Sequence, residues 1–218
     1  MTEQVGISEI DEKGILMKIL YGTTNKAKLK AMENATKPLG IELIGLCDLE
    51  SDLPTIVEDG KTPLENAKIK AEAYYEAFHM PVFSCDSGLY FDEVDEADQP
   101  GLFVRRVNGK ELNDDEMIDH YSKLAEKYGG RLTGRYYNAV HFILDENASY
   151  SSMDISLASE SFVLITVPHP KRVEGFPLDS LSKDIETGEY YYDLETKDIS
   201  TEGIVDGFNG FFSEALGK

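Results

Sequence analysis

The sequence has little of several features that would otherwise define its class. Its 218 residues include two cysteines, no tryptophan and no apolar run of membrane-spanning length. Cys47 and Cys85 lie far apart, so they form neither a disulfide framework nor a zinc signature, which is typical of a reducing cytoplasm. The acidic N-terminus lacks the order of a signal peptide, a basic region followed by an apolar one. We therefore expect a cytoplasmic protein with no membrane partner.

Positive charge is also scarce. The chain has 21 lysines and arginines against 41 aspartates and glutamates, which gives a net charge of −20. Such a surface repels nucleic-acid backbones and anionic lipids, so we expect no nucleic-acid polymer as a partner. A small anion can still bind where a locally basic pocket or a bridging cation receives it.

The hydrophobic pattern predicts an α/β fold with a mixed sheet and no internal repeat. Strands are predicted at residues 18–22, 41–46, 81–84, 131–145 and 150–167, and helices at 26–37, 62–79, 113–128 and 205–216. The last two strands form a natural antiparallel pair around the turn at 145–147. We predict residues 1–16 to be a disordered N-terminal extension and residues 17–218 to be a single domain.

The clearest local signal is the run Thr62-Pro63-Leu64-Glu65. Thr62 suits the cap of a helix, Pro63 its first turn, and Glu65 completes a capping box. Ala67, Ala71, Tyr74 and Phe78 then recur at helical spacing and predict a buried stripe. Asn66 and Lys70 are four residues apart and share a different face.

A first candidate for chemistry is the run GTTNKAKLK, where a strand passes into a helix. Backbone N–H groups point outward there, Thr23 and Asn25 add side-chain donors, and Lys28 follows one turn later. This corner can bind an anion, although it lacks the glycines of a Walker A motif. The plain alternative is an ordinary strand–helix turn with surface lysines.

A second candidate is the acidic stretch before the helix that starts at Thr62. Glu58 and Asp59 can hold Mg²⁺, while Lys70 and Asn66 reach phosphate oxygens. The alternative is a solvated acidic loop with a lysine that extends into water.

A third candidate is Asp86, which we place at the end of a strand before a turn of small residues. A carboxylate so placed can bind a metal ion and take a proton from water. The alternative is an aspartate that caps the turn of an Asp-Ser-Gly run.

The order and spacing of these elements carry a family resemblance. The elements are Thr-x-Asn-x-x-Lys from Thr23, Glu-Asp-Gly-x-Thr-x-x-Glu-Asn-Ala-x-x-Lys-Ala from Glu58, Asp-Ser-Gly-Leu from Asp86, and Pro100-Gly101 followed by Arg106. Over residues 18–110 the chain resembles the non-canonical purine NTP pyrophosphatase family, of the inosine triphosphatase type.

The resemblance implies a long, curved mixed sheet flanked by helices, with two lobes, a central cleft and a homodimer. It also implies Mg²⁺-dependent hydrolysis of ITP, dITP or XTP to the monophosphate and pyrophosphate. Glu58 and Asp86 would bind the metal, and Asp86 would activate the attacking water. The residues that would contact the substrate are Thr23, Asn25, Lys28, Asn66, Lys70, Ser87, Arg106, Phe176 and Asp179.

The chain departs from the family at three places. Cys85 stands where the family has an acidic residue, and a neutral thiol supplies no oxygen to Mg²⁺. Residues 175–180 read Gly-Phe-Pro-Leu-Asp-Ser instead of Gly-Phe-Gly-Tyr-Asp-Pro. Residues 199–203 read Ile-Ser-Thr-Glu-Gly instead of the family's Ser-His-Arg before a glycine. Because Glu202 accepts hydrogen bonds where arginine donates them, we expect altered base specificity.

Three functions remain open on the sequence. The leading one is a Mg²⁺-dependent nucleoside triphosphate pyrophosphohydrolase with altered base specificity. The second is a catalytically weak nucleotide-binding or sensor protein of the same fold. The third, a carboxylate-pair hydrolase acting on sugars, rests only on the abundance of carboxylates. The Tyr190–Tyr192 run is either a sheet edge or part of a dimer interface.

Overall fold

The computed structural model describes residues 17–194 and 202–218. They divide into two compact units. The first contains residues 17–86, 138–157 and 202–218, and the second contains residues 87–137 and 158–194. The predicted extension at residues 1–16 lies outside the described residues.

The first unit is built on parallel strands. β1 (Met17–Tyr21) pairs with β2 (Ile41–Gly45) and with β3 (Val82–Phe91), in the registers Met17↔Ile41 and Leu20↔Val82. Helices α1 (Lys26–Thr36) and α2 (Pro63–Phe78) supply the crossovers that parallel strands require. Consecutive residues Ile19 and Leu20 are both fully buried, so helices or loops cover both faces of β1.

Helix α2 confirms the predicted start and the predicted buried stripe. Thr62 Oγ1 accepts a hydrogen bond from Glu65 N at 3.2 Å. Ala67, Ala71 and Tyr74 are buried, whereas Phe78, the fourth predicted member, is half-buried against the same core. The predicted capping box is only half formed, because the Glu65 carboxylate accepts from Lys61 N at 2.6 Å and not from Thr62 N.

A hairpin and a terminal helix complete the first unit. β6 (Arg131–Asp145) has its predicted bounds and pairs with β7 (Ala148–Ser152) around the predicted turn. Helix α4 (Glu202–Ala215) confirms the predicted terminal helix. It packs so closely on the 154–157 turn that a Cβ on Gly207 would lie 1.9 Å from Ser156 O. Gly207 therefore permits this contact.

The predicted long strand at 150–167 is wrong. It is interrupted after β7 by a 3₁₀ turn at Ile155–Leu157 and resumes as β8 (Phe162–Ile165). Asp154 N donates to Ser152 Oγ, and Asp154 Oδ1 accepts from Ser156 N at 2.9 Å. Such local bonds between side chains and backbone compete with strand pairing.

The second unit packs helix α3 (Asp114–Lys127) on antiparallel strands. The predicted capping box at Asn113 and Glu116 has both of its bonds. β8 pairs with the first residues of β6 and with β9 (Ser182–Asp184), and β4 (Arg106–Val107) pairs with β5 (Lys110–Glu111). The core of this unit includes Leu89, Phe91, Met117, Tyr121, Leu132, Phe162, Leu164 and Leu181.

Within the described residues, seven strands form one mixed sheet in the order β2-β1-β3-β6-β8-β9, with β7 paired to β6. Strands β3 and β6 contribute residues to both units. The predicted mixed α/β fold with helices flanking the sheet is confirmed. No helix of residues 17–194 or 202–218 has the length and apolar character needed to cross a membrane.

Candidate active site

A lysine and two carboxylates form a group of charges in the first unit. Lys70 Nζ lies 3.0 Å from Glu58 Oε2 and 3.5 Å from Asp86 Oδ1. The lysine side chain is 13% exposed, against 44% for Glu58 and 22% for Asp86. The sequence-predicted residues Glu58, Lys70 and Asp86 are therefore brought together, on the loop before α2, on α2 and on β3.

The position of Asp86 differs from the sequence prediction. It lies inside β3, which continues to Phe91, and not at a strand end before a turn. Side chains alternate along a strand, so Asp86 shares its face with Ser84 and Val82. Val82 packs with Ala71 and Tyr74 of α2. The strand therefore presents Asp86 on the side of the sheet that α2 covers.

The predicted anion corner lies between β1 and α1. Thr23 Oγ1 accepts a hydrogen bond from Asn25 N, and Asn25 Oδ1 accepts one from Lys28 N, each at 3.2 Å. The two oxygens thus act as acceptors that cap the start of α1, where the sequence suggested donors to an anion. Lys28 is exposed to solvent. The charges of Lys28 and Lys70 both act to lower the pKa of the Cys85 thiol, which is next to Asp86 in the chain.

Asn66 holds the loop that precedes α2. Its side chain is buried, and its Oδ1 accepts a hydrogen bond from Gly60 N at 2.9 Å. A Cβ on Gly60 would lie 2.6 Å from that oxygen. Asn66 therefore fixes the loop that carries Glu58, and direct contact with phosphate stays a prediction.

Cys85 lies on the face of β3 opposite Asp86. It is half-buried against the cluster that contains Tyr21, Phe83 and Phe212, and its thiol shares a hydrogen bond with the Tyr21 hydroxyl. Burial raises the pKa of the Cys85 thiol to about 12, although Lys28 and Lys70 act to lower it. The thiol is therefore neutral near pH 7 and packs beneath the charged group.

The donor set fits a magnesium ion that keeps much of its own hydration. Among residues 17–194 and 202–218, no three His, Cys, Asp or Glu side chains cluster as a ready metal site. Glu58 and Asp86, however, offer two hard carboxylates around one ammonium group. Magnesium sites beside phosphates commonly use one or two carboxylates, with waters and phosphate oxygens as the other ligands.

The sequence model of the Ham1 family matches residues 19–154, more than half of the chain. The chain belongs to the Ham1 family. Within the matched stretch lie the Lys70 group and the anion corner, so the family assignment rests on the part of the chain that builds them.

The sequences of curated relatives support the assignment of this chain to the Ham1 family. A dITP/XTP pyrophosphatase from Oceanobacillus iheyensis is 39% identical over 108 residues, which cover 50% of this chain and 54% of the relative. One from Haemophilus influenzae is 38% identical over 97 residues, covering 44% of this chain and 48% of the relative. The chain thus spans about half the length of the curated relatives it matches.

Solved structures extend the likeness of fold further than the sequence match. A HAM1 protein from Coxiella burnetii superposes with a TM-score of 0.72 at 22% identity, covering 91% of this chain and 99% of that one. The Staphylococcus aureus Ham1 protein gives 0.67 at 20% identity, with 90% and 98% covered. The fold of the Ham1 family therefore continues beyond residue 154, where the sequence match stops.

The remaining residues of this Ham1 family protein that are predicted to contact the substrate belong to the second unit. Ser87 is half-buried in β3, and Asp179 lies in a 3₁₀ turn at Pro177–Ser180. Phe176 is 60% exposed. Arg106 is exposed, with its guanidinium carbon 5.9 Å from the centre of the Phe103 ring. The predicted base contacts at residues 199–201 lie outside the described residues, and the side chain of Glu202 is also not described.

Sequence reasoning missed how segment 167–176 is held. Tyr190 Oη donates to Val167 O at 2.8 Å, and Tyr192 Oη donates to Phe176 O at 3.3 Å. His169 Nδ1 accepts from Lys171 N, so its Nε2 carries the proton that faces Asp193 Oδ1 at 3.2 Å. The run of tyrosines was a visible signal, but its partners are backbone oxygens that no sequence pattern marks.

Proposed function

We propose that this protein is a Mg²⁺-dependent nucleoside triphosphate pyrophosphohydrolase that converts ITP, dITP or XTP and water to the monophosphate and diphosphate, with altered base specificity. Membership of the Ham1 family and the names of its relatives support the reaction class. The observation that carries the proposal is Lys70 Nζ between the carboxylates of Glu58 and Asp86.

The phosphate end of the substrate is assigned to the corner after β1. Thr23, Asn25 and Lys28 would contact the triphosphate, because the start of a helix favours an anion and Lys28 adds an exposed positive charge. Lys70 would neutralise charge close to the reacting phosphorus. Such positioning and neutralisation supply most of the catalysis in phosphoryl chemistry.

Asp86 is assigned the role of the base. As water attacks the α-phosphorus, an oxygen–phosphorus bond forms and the bond from that phosphorus to the oxygen bridging it to the β-phosphorus breaks. Asp86 takes the proton of the water, and diphosphate leaves. A bound magnesium ion would neutralise the phosphate oxygens, with Glu58 and Asp86 as its protein ligands.

The base end of the substrate is assigned to residues that the family resemblance implies. Phe176, Asp179, Ser87 and Arg106 are the proposed contacts. Phe176 exposes an aromatic face that can stack on a base, and Asp179 can accept a hydrogen bond. The family sequence match ends at residue 154, before Phe176 and Asp179, and the departures at residues 175–180 support a base preference that differs from that of the relatives.

Two further properties are proposed, namely a cytoplasmic location from the cysteine usage and a homodimer from the family resemblance. Sedimentation equilibrium of the purified protein tests the second. A single species of 24.3 kDa at micromolar concentration would refute the dimer.

The experiment that tests the function is diphosphate release with Mg²⁺, across ITP, dITP, XTP and the four common triphosphates. The Asp86→Asn protein serves as the blank. We expect release that the blank lacks, and the ranking of substrates defines the base preference. Absence of release from every triphosphate would refute the proposed reaction.

A nucleotide-binding protein without turnover is the second candidate. The neutral, packed thiol of Cys85 favours it, because that position adds no oxygen ligand for the metal. Such a protein would gain about 2.7 kcal/mol of stability at a hundredfold excess of nucleotide over Kd, without consuming it. Thermal stabilisation without diphosphate release would select this candidate.

A further inference from the structure

One buried serine hydroxyl differs from the other buried serine hydroxyls of the described residues in its hydrogen bonding. Ser84 is fully buried on β3, and its Oγ has no hydrogen-bond partner among residues 17–194 and 202–218. Two other serines that are almost fully buried do have partners. Ser180 Oγ donates to Pro177 O at 2.7 Å, and Ser182 Oγ donates to Leu178 O at 2.8 Å. A buried polar group without a hydrogen-bond partner lowers the stability of the folded protein, so the unpaired Ser84 hydroxyl needs an explanation.

The Ser84 hydroxyl points at the start of the anion corner. A Cβ on Gly22 would lie 2.1 Å from Ser84 Oγ and 2.8 Å from the ring of Tyr74. Only a glycine leaves room for the hydroxyl there. Ser84 also lies two residues before Asp86 on the same face of β3. It therefore lies next to the residue that leads into the corner assigned to phosphate, and on the same strand face as the proposed base.

The peptide bond between Gly22 and Thr23 is the backbone group best placed to rotate when a phosphate binds at the corner. Thr23 N donates to Tyr21 O at 2.6 Å across a three-residue turn, and Gly22 N is held by Phe83 O at 2.8 Å. The N–H and C=O of a trans peptide point in opposite directions. Thr23 N could leave Tyr21 O and donate to a phosphate oxygen instead. That change rotates the whole peptide, so the Gly22 carbonyl would turn away from its present direction and could accept from Ser84 Oγ. Gly22 tolerates the new backbone angles because it lacks a side chain.

We infer that Ser84 is a positioning residue for the anion corner, whose hydroxyl gains its partner, the Gly22 carbonyl, when the Gly22–Thr23 peptide rotates to bind a phosphate. The free protein carries an unpaired hydroxyl, and the bound protein pairs it. Part of the affinity for phosphate therefore comes from relief of that cost. This inference rests on the proposed function, because it assigns the corner to the triphosphate.

The test compares Ser84→Ala with the wild type and with Ser182→Ala as a matched buried serine. The probe is sodium tripolyphosphate in Mg²⁺ buffer, with Tm measured without the probe and Kd by calorimetry. We expect Ser84→Ala to raise the Tm of the free protein by about 2–4 °C. It should also weaken tripolyphosphate binding by about threefold to tenfold. Ser182→Ala should lower the Tm and leave Kd unchanged.

Three results would overturn the inference. They are a Ser84→Ala protein with a lowered Tm, a raised Tm with an unchanged Kd, and a wild type that does not bind tripolyphosphate. Failure of the proposed function looks different, because a wild type that binds tripolyphosphate but releases no diphosphate from nucleotides would refute the reaction alone. A KM that rises in Ser84→Ala at constant kcat would support positioning of the phosphate end.

Discussion

The two compact units position their candidate site residues through different kinds of contact. In the first unit, charged side chains face one another, as Lys70 on α2 does with Glu58 on the preceding loop and Asp86 on β3. In the second unit, Tyr190 and Tyr192 bond to backbone oxygens and hold an irregular segment. The first arrangement depends on charge and the second on backbone shape. We therefore expect changes in the first unit to act on rate and changes in the second to act on selectivity.

The largest expected effect is on the rate, from Asp86→Asn. The amide keeps the shape of the carboxylate but does not take a proton from water, so kcat should fall by at least about 100-fold. Steady-state diphosphate release and circular dichroism check this together. A retained rate with a lowered Tm would make Asp86 a structural residue and weaken the contrast between the units.

The next effect is expected from Lys70→Met, which keeps the length of the side chain but removes its charge. Glu58 and Asp86 would lose their shared cation, and kcat/KM should fall by about tenfold to a hundredfold. Lys68→Met, on the same helix, is the matched control and should keep most of the activity. Equal losses in the two variants would show that Lys70 has no special role.

A smaller effect is expected in the second unit from Tyr192→Phe. Loss of the bond to Phe176 O should lower Tm by about 2–4 °C. The ratio of kcat/KM for ITP to that for GTP should change by about twofold to tenfold, with kcat on the better substrate unaltered. Tyr150→Phe, in the first unit, is the control. A change in kcat with a constant ratio would contradict the division between rate and selectivity.

The smallest effect concerns Cys85 and high pH. Burial raises the pKa of the Cys85 thiol in the folded protein to about 12, from its ordinary value of 9.0. Below pH 9 the thiol is protonated in both states and costs nothing. Between pH 9 and 12 the unfolded chain ionises first, so stability falls as pH rises. Cys85→Ala should show a shallower loss of Tm over this range, and an equal slope would place the thiol in a more polar environment.

Local chemistry explains what the sequence predicted well. The starts of α2 and α3 depend on the caps Thr62 and Asn113, whose bonds reach only three residues along the chain. The grouping of Glu58, Lys70 and Asp86 came from the resemblance to a family, and the structure brings these three side chains together. Their spacing in sequence alone did not require it.

Long-range contacts explain what the sequence did not predict. The Asp-Ser-Gly run favours a turn locally, but β3 continues through it to Phe91 as part of the sheet. The hydrogen bond from Gly60 N to Asn66 Oδ1 spans six residues, and no local pattern in the sequence marks it. The unpaired Ser84 hydroxyl leaves no trace in composition or periodicity, because its environment comes from Gly22 and Tyr74 on other elements.

The two thiols differ in exposure and in pKa, so one of them can be labelled selectively with a fluorescent dye. Cys47 is exposed, and its Sγ lies 3.5 Å from Thr24 O at the anion corner, whereas Cys85 is half-buried with a raised pKa. A maleimide dye at neutral pH should therefore attach to Cys47 alone. The dye would sit beside the loop that we assign to the triphosphate, so its fluorescence would follow nucleotide binding in real time and without a substitution in the chain.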